Sequence, residues 1–369
     1  MRIEIEKKDL MSLIGKTQNI VEKRNTMPVL VNVLLEAEQD SLRVFATDLE
    51  VSLTDAVKAN VKESGRVAVS AKSLFEIAKE LAEGFIQLHK KENNWLEIKQ
   101  GKYTSKIVGI SADEYPIFPT HTSNQFAKFE SSVLREMIDK TIYSVSTDES
   151  RYHLNGVYFE QKNEAQYTMV ATDGHRLSMI DKNASSIKLL PSGQGVIVPR
   201  KGLLEIKKLL ESITGLVEIA VEGPQLILKS GSTTLMVRLI EGKYPSYQQF
   251  IPQKLSQKLT INKESFLTSL KRVSLLANTK SKAVTFSLSQ GKMEITSNNP
   301  ELGDAKEEIE VQYGGKDIKI GFNAKYITDI LASINDQDID FEFNDQLSPG
   351  LMRPHSDASY TCVVMPMRI

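Results

Sequence analysis

One nine-residue pattern occurs three times along the chain, and it constrains the fold more than any other feature of the sequence. In each copy an apolar residue is followed three positions later by lysine, and the lysine is followed by an acid and then isoleucine. The copies are VSAKSLFEI at 69–77, VPRKGLLEI at 198–206 and FNAKYITDI at 322–330. The lysines Lys72, Lys201 and Lys325 are 129 and 124 residues apart. Repeats at a nearly fixed spacing indicate a fold assembled from copies of one unit.

Other elements recur in the same order as this pattern. A short alternating strand that leads into an apolar stripe of helical period begins near Ile3, Ala127 and Leu259. Triplets of one type, 125 residues apart both times, are ATD at 46–48, ATD at 171–173 and TSN at 296–298. The first two copies end on the similar turns EYP at 114–116 and KYP at 243–245. Chance does not explain so many echoes in one order.

The repeats predict an α+β chain of three similar domains. Each unit reads as strand, helix, several strands, a second helix and further strands. The later strands, such as WLEIKQGKYTSKIVGI, alternate between apolar and polar residues around glycine-containing turns. Helices that pack on one face of mostly antiparallel sheets fit this order. We expect domains at 1–125, 126–255 and 256–369, with boundaries near 123–127 and 253–257.

Composition narrows the class of protein. Apolar residues make up 41% and charged residues 25% of 369 residues, which is typical of globular chains. No apolar run approaches the roughly 20 residues that span a bilayer, so no membrane partner is expected. The N-terminal MRIEIEKKDL lacks the apolar block of a signal peptide. The single cysteine, Cys362, excludes an internal disulfide. These features favour a cytoplasmic protein.

Charge argues against tight binding to nucleic acid by the chain as a whole. There are 46 Lys and Arg against 47 Asp and Glu, which gives a net charge of −1. Some expected helices are nevertheless basic, with acids collected in strands and loops. The basic helix residues are Lys16, Lys23, Arg24, Arg200, Lys201, Lys207, Lys208, Lys263, Lys271, Arg272, Lys280 and Lys282. Either these are ordinary solvated helices, or the basic residues face a polyanion that the protein surrounds without binding it tightly.

The segment VATDGHRLSM invites a catalytic interpretation, because a carboxylate beside an imidazole can orient a general base. However, Asp173 and His175 are not spaced to share one face, and the chain has no G-x-S-x-G elbow, P-loop or G-x-G-x-x-G cradle. Its other histidines, His89, His121 and His153 among them, form no metal-spaced cluster with Cys362. An Asp-Gly pair after a strand favours a turn. We therefore predict a shaped turn, no catalytic residue, no metal and no cofactor.

Together, these residues resemble a known family. The triplication, VATDGHRLS at 170–178, RYHLNG at 151–156 and the C-terminal VVMPMRI are similar to the bacterial sliding clamp, the beta subunit of DNA polymerase III. The resemblance runs from Met1 to Ile369. It implies three domains of the clamp fold per chain and a head-to-tail homodimer that closes a ring, with helices lining the hole and sheets outside. It also implies a non-catalytic processivity factor that slides on double-stranded DNA.

The resemblance gives the apolar C-terminus a role, since in this family it lines a groove between domains two and three that receives short peptide motifs. Methionine suits such a surface because its flexible thioether adapts to different partners. We expect Val363 and Val364 to be partly core and the residues after them to face the groove. The expected groove residues are Leu154, Thr172, Gly174, His175, Arg176, Leu177, Pro245, Phe250, Asn323, Tyr326, Val363, Val364, Met365, Pro366, Met367 and Arg368.

Two further surfaces follow from the same resemblance. Arg24 and Tyr152 match positions that contact DNA, and His153 stands where the family has an aromatic hydroxyl. With the basic helix residues, the expected DNA-facing set is Arg24, Tyr152, His153, Arg200, Lys201, Lys271 and Arg272. Leu275 and Leu276 fall where the family packs its dimer interface. The chain departs from the family after Tyr244-Pro245, where Gln248 and Gln249 replace a basic residue, which puts one groove contact in doubt.

The implied partners are the DNA polymerase III alpha subunit, the delta subunit of the clamp loader complex, and other polymerases, mismatch-repair proteins and ligases that carry clamp-binding motifs. Two alternatives remain from the residues themselves. A repeat-built adaptor would bind proteins and never encircle DNA, so it would tolerate neutralising Lys271 and Arg272. A hydrolase using Asp173 and His175 would lose an activity on replacement of His175.

Overall fold

The computed structural model describes residues 1–21, 27–123, 125–184, 187–191 and 194–368, and these residues fold into two compact units. Unit 1 comprises Met1–Ser132, Ser185–Leu189 and Lys201–Leu239. Unit 2 comprises Val133–Ala184, Leu190–Arg200 and Ile240–Ile369. The central part of the chain therefore contributes strands to both units. Units of this kind differ from the three expected domains, whose boundaries stay a prediction.

The described residues form six α-helices, and they begin where the repeats place them. They are α1 (Lys7–Gly15), α2 (Ala71–Glu80), α3 (Ser131–Asp139), α4 (Arg200–Leu210), α5 (Lys263–Ser274) and α6 (Ala324–Ser333). The odd-numbered helices follow the short strands, and the even-numbered helices carry the nine-residue pattern. Side-chain caps fix some of the starts: Asn323 accepts hydrogen bonds from the backbone N–H groups of Lys325 and Tyr326 at 2.9 and 3.3 Å.

Unit 1 contains two antiparallel sheets. The smaller has the order β5 (Asn60–Glu63), β1 (Arg2–Glu6), β7 (Phe85–Lys90), β8 (Leu96–Gln100) and β9 (Tyr103–Ile107). The larger has the order β10 (Gly109–Ile110), β6 (Gly65–Ser70), β2 (Asn32–Glu38), β3 (Ser41–Thr47), β4 (Val51–Lys58), β18 (Thr233–Arg238), β17 (Gln225–Ser230), β16 (Leu216–Glu222) and β11 (Ala127–Glu130). It joins strands of the first and second repeats where β4 pairs with β18.

Unit 2 repeats this plan. Its larger sheet has the order β15 (Gly195–Pro199), β12 (Gly156–Gln161), β13 (Gln166–Thr172), β14 (Arg176–Asn183), β26 (Tyr360–Val364), β25 (Gly350–Pro354), β24 (Asp338–Phe343) and β19 (Gln257–Asn262). The smaller has the order β22 (Gly303–Glu310), β21 (Lys292–Asn299), β20 (Ala283–Ser289) and β23 (Ile318–Asn323). Here strands of the second and third repeats meet where β14 pairs with β26.

Helices bury their apolar stripes against these sheets. In α5 the buried residues Phe266, Leu270 and Val273 recur at helical spacing, and the helix packs on α6, β21 and β22. In α4 a Cβ added at Gly202 would lie 2.2 Å from a methyl carbon of Val237 in β18, so only glycine permits this approach. The antiparallel pairing and the helix packing confirm the predicted α+β class.

None of the helices in the described part of the chain is both long and apolar enough to span a bilayer.

Candidate functional site

An apolar cavity of about 580 Å³ opens at one end of the eight-stranded sheet of unit 2. At this end β13 leads into β14, β26 finishes, and β24 turns into β25. The segment after Tyr244 covers one side. The lining residues are Leu154, Thr172, Gly174, His175, Arg176, Leu177, Pro245, Gln249, Phe250, Pro252, Gln253, Lys254, Asn344, Ser348, Pro349, Val363 and Met365. We call this cavity the groove.

The β13–β14 turn forms one wall of the groove, and its own polar side chains hold it. The Asp173 carboxylate accepts hydrogen bonds from the backbone N–H groups of His175 and Arg176 at 2.9 and 3.0 Å. The Thr172 hydroxyl accepts from Gly174 N–H at 3.1 Å and donates to the Arg176 carbonyl at 2.6 Å. Gly174 has a φ of 89°, which favours glycine. This confirms the prediction of a shaped turn.

The Arg176 side chain is fully engaged behind this wall. Its guanidinium donates to Asp173 at 3.0 Å and to Asp329 of α6 at 2.7 Å, and it also donates to the Tyr143 carbonyl. It lies 5.2 and 4.6 Å from the ring centroids of Tyr143 and Tyr326. A buried cation with two carboxylate partners and two aromatic faces is held in a single position. Arg176 therefore shapes the groove and carries little free charge into it.

The C-terminal segment divides between core and groove. Val363 and Val364 in β26 are buried, and Val363 also lines the groove. Met365 is 42% exposed and lines the groove, with its N–H donating to the His175 carbonyl at 2.8 Å. Met367 N–H donates to Gly321 of β23 at 2.8 Å. The C-terminal segment thus consists of a core strand followed by Met365, which supplies part of the groove surface.

Beneath the groove lies a compact apolar cluster. Its members are Leu154, Val170, Leu177, Ile197, Tyr244, Tyr247 and Val363. The Tyr158 and Tyr244 rings stack at 4.9 Å between centroids, and burial raises the pKa of the Tyr244 hydroxyl above its usual range. This cluster gives the groove a closely packed floor.

Not every expected groove residue lies in the lining. Tyr326 stands one layer behind, stacked on His175 at 6.3 Å between ring centroids. Asn323 caps α6, while Val364 is core. Pro366, Met367 and Arg368 follow Met365 beyond the lining residues. The roles of all sixteen residues remain predictions.

Seven lining residues did not emerge from the sequence: Gln249 as a wall residue, Pro252, Gln253, Lys254, Asn344, Ser348 and Pro349. Two of the segments involved, 249–254 and 344–349, are 90 or more positions apart and meet because β19 pairs with β24, with Gln257 opposite Phe343. The turn-rich NDQLSPG was the available signal for the second segment, but a turn signal does not say what a turn approaches.

The expected DNA-facing residues do not share one environment. Arg24 lies outside the described residues. Tyr152 is 57% exposed, edge-on to His153 at 5.7 Å between centroids. Arg200 and Lys271 are exposed.

Two of these cations are instead held by acids of their own unit. The Lys201 ammonium lies 2.8 Å from buried Asp48, and the Arg272 Nε donates to Glu307 at 2.9 Å. Of the two expected interface leucines, Leu275 is 77% exposed at the end of α5 and Leu276 is half-buried.

The other chemistry-bearing groups have structural partners. The Cys362 thiol is buried, which raises its pKa, and it lies 3.4 Å from the Tyr143 hydroxyl. Among the described residues, no three His, Cys, Asp or Glu side chains are grouped so as to hold a metal ion.

Comparison with known proteins gives a consistent result along the whole chain. Family models of the DNA polymerase III beta subunit match its N-terminal domain at 1–119, its central domain at 128–246 and its C-terminal domain at 248–368. The chain belongs to the DNA polymerase III beta subunit family. Members of this family are DNA sliding clamps, and that is the function of this chain.

Individual relatives agree. The Beta sliding clamp of Caulobacter vibrioides is 34% identical over 378 residues, and that of Pseudomonas aeruginosa is 32% identical over 372 residues. Both alignments cover 100% of both chains. Among solved structures, the sliding clamp of Bartonella birtlesii bound to griselimycin superposes with a TM-score of 0.95 at 32% identity, over 100% of both chains. The P. aeruginosa subunit gives 0.94 at 32% identity, also over 100% of both chains. The predicted resemblance and the triplicated fold are confirmed.

Proposed function

We propose that the chain acts as a closed homodimeric ring around double-stranded DNA and tethers replication proteins through the groove of unit 2. The observation that carries the proposal is the groove itself, an apolar cavity at the end of a sheet in a chain that matches the clamp family from end to end. Its 580 Å³ is suited to a few side chains of an extended segment.

The groove's chemistry favours short peptide motifs as occupants. Leu154, Leu177, Pro245 and Val363 supply an apolar floor, and exposed Phe250 and Met365 supply adaptable walls. Such a surface takes apolar side chains from several partners. We extend this to the DNA polymerase III alpha subunit, the delta subunit of the clamp loader, other polymerases, mismatch-repair proteins and ligases.

Dimerisation is proposed to use two open sheet edges. The edge strand β9 of unit 1 and its preceding turn carry Lys102 and Lys106, whereas the edge strand β22 of unit 2 carries Asp304 and Glu310. Edges of opposite charge can pair between two copies of the chain, whereas two identical edges repel each other. Exposed Leu275 supplies an apolar contact beside them.

DNA contact is assigned to exposed Tyr152, Arg200 and Lys271 and to half-buried His153. Because Lys201 and Arg272 are held by Asp48 and Glu307, we expect them to add less to phosphate binding than their charge suggests. A weakly basic lining suits a ring that must slide. Since its work is on replicating DNA, we place the protein in the cytoplasm.

We also infer that the clamp catalyses no reaction of its own. The Asp173 carboxylate, which such a hydrolase would need free, is engaged with the turn backbone and with Arg176. An enzyme using Asp173 and His175 would require that turn to open.

The test is topological. The protein is loaded onto a nicked circular plasmid with a clamp loader and ATP, the complex is purified at moderate salt, and the DNA is then cut once. We expect retention on the circle and release from the linear form. Leu275→Glu is the matched variant, since it should weaken ring closure while leaving the groove intact.

Equal retention on circular and linear DNA, or loss from both, would overturn encirclement and favour an adaptor that binds only proteins.

A further inference from the structure

The charge of the groove is one-sided. None of its described lining residues is an aspartate or glutamate, whereas His175, Arg176 and Lys254 can carry positive charge. Arg176 is neutralised by Asp173 and Asp329, and His175 stacks on Tyr326. Lys254 is exposed, and it forms no ion pair with any residue that the structure describes. The available positive charge of the groove is therefore at Lys254.

The backbone at Lys254 is fixed in place. Its carbonyl accepts a hydrogen bond from the Asn344 side-chain amide at 3.0 Å, and the Asn344 side-chain oxygen accepts from Ser256 N–H at 2.8 Å. Asn344 directly follows Phe343, the last residue of β24. Lys254 is thus tied to the β24 end of the groove, while His175 stands at the β13–β14 end.

The separation of these ends follows from the sheet. The strands β14, β26, β25 and β24 are consecutive neighbours, which makes three steps between strands. At about 4.8 Å a step, the groove is roughly 14 Å long. An extended peptide rises about 3.3 Å per residue, so two residues about four positions apart reach the two ends.

We propose that the groove selects partner peptides in which an acidic side chain lies about four residues from the apolar residue seated beside His175, with the carboxylate paired to Lys254. This rests on the proposed function of the groove. Gln248 and Gln249 stand where the family resemblance leads one to expect a basic residue, and Gln249 and Gln253 line the groove as neutral amides. Lys254 then decides the charge preference of this particular clamp.

The experiment measures fluorescence anisotropy with the full-length protein and labelled nine-residue peptides. All peptides carry the same apolar residues and an amidated C-terminus, and differ only in Asp, Asn or Lys placed three, four or five residues from one apolar end. The variants are Lys254→Glu and, as a matched control, Lys316→Glu, which changes an exposed lysine of the same unit outside the groove lining. Phe250→Ala reports on the apolar part of the groove.

We expect the Asp peptide to bind native protein and Lys316→Glu three- to tenfold more tightly than the Asn peptide, as partly desolvated ion pairs do. In Lys254→Glu the preference should reverse, so that the Lys peptide binds best. Phe250→Ala should weaken all peptides alike.

An Asp preference that survives in Lys254→Glu would overturn the assignment to Lys254 while leaving the groove function intact. Peptides that bind equally whatever their charge would do the same. Failure of every peptide to bind native protein would overturn the proposed groove function and this inference with it.

Discussion

The β3–β4 turn of unit 1 and the β13–β14 turn of unit 2 begin with the same letters, ATD, and have different surroundings. In both, one oxygen of the aspartate accepts from the N–H groups two and three residues later. For Asp48 these donors are Glu50 and Val51, at 2.9 and 2.7 Å. The equivalent donors for Asp173 are His175 and Arg176. The local turn is thus repeated faithfully.

The second oxygen of each aspartate makes the difference. Asp48 meets Lys201 of α4, whereas Asp173 meets Arg176, which in turn reaches Asp329 of α6. Lys201 and Asp329 belong to the same nine-residue pattern, four positions apart within it. The β3–β4 turn is therefore linked to α4 through the lysine of the pattern, and the β13–β14 turn is linked to α6 through the acid of the pattern.

The cavities beside the two turns differ accordingly. In unit 1 the cavity is about 240 Å³, and its lining mixes Glu50 and Arg238 with Leu49 and Ile117. In unit 2 the groove is about 580 Å³ and its described lining has no acid. One turn design thus borders either a small cleft of mixed polarity or a large apolar groove, depending on the residues around it.

The largest expected effect is the difference in stability cost between breaking the Arg176 linkage and breaking the Lys201 linkage. Arg176→Ala removes a buried guanidinium that joins the half-buried carboxylates of Asp173 and Asp329 and donates to the Tyr143 carbonyl, so it should cost about 3 kcal/mol of local stability in unit 2. Lys201→Ala should cost only about 1 kcal/mol in unit 1, because the lysine is partly exposed and Asp48 keeps its two N–H donors. Amide hydrogen exchange of the two turns measures both.

Equal losses in the two turns would mean that the linkages are energetically equivalent and that the buried position of Arg176 adds nothing.

A smaller effect concerns the residue after each aspartate. Leu49 has a φ of 76° and Gly174 a φ of 89°. Leu49→Gly should relieve backbone strain and stabilise its turn by up to about 1 kcal/mol, whereas Gly174→Leu should destabilise by about 2 kcal/mol. In the second variant a Cβ also comes within 2.9 Å of the Arg151 guanidinium. Thermal unfolding of the two variants measures the effect. Shifts of the same sign in their melting temperatures would contradict this prediction.

The smallest effect depends on pH. Burial raises the pKa of Glu205, and the charge of Asp48 acts in the same direction. A raised carboxyl pKa means that stability present below the unfolded pKa, about 4.3, is lost as pH rises through the folded pKa. Glu205→Gln should therefore stabilise the protein slightly at pH 7, and this advantage should vanish towards pH 4.

The equivalent change in the third repeat, Asp329→Asn, should instead destabilise at pH 7, because it removes the partner of Arg176 and Lys325. Urea unfolding at several pH values compares the two. A stabilising Asp329→Asn would show that Arg176 does not need this acid.

Much of this could be read from the sequence, because repeats preserve local structure. The nine-residue pattern placed α2, α4 and α6, and TDGHR was correctly predicted as a turn. The pattern could not show that Lys201 faces Asp48 while Asp329 faces Arg176, because pairing across repeats depends on which side chains the sheets bring together. For the same reason, the basic character of α5 could not show that Arg272 pairs with Glu307 of β22. The sequence did not predict Lys254 as a groove residue, because positions 254 and 344 come together only through the pairing of β19 with β24.

The pairing of β4 with β18 and of β14 with β26 has a consequence for the gene. Each large sheet is completed by backbone hydrogen bonds between neighbouring repeats, so no repeat is a finished module. A recombination event that deleted the first or third repeat would leave one bare strand edge, and loss of the central repeat would leave two. Bare edges expose unpaired backbone groups and promote aggregation. Backbone pairing between repeats thus keeps the number of repeats at three. The side chains of the repeats can diverge without removing this constraint.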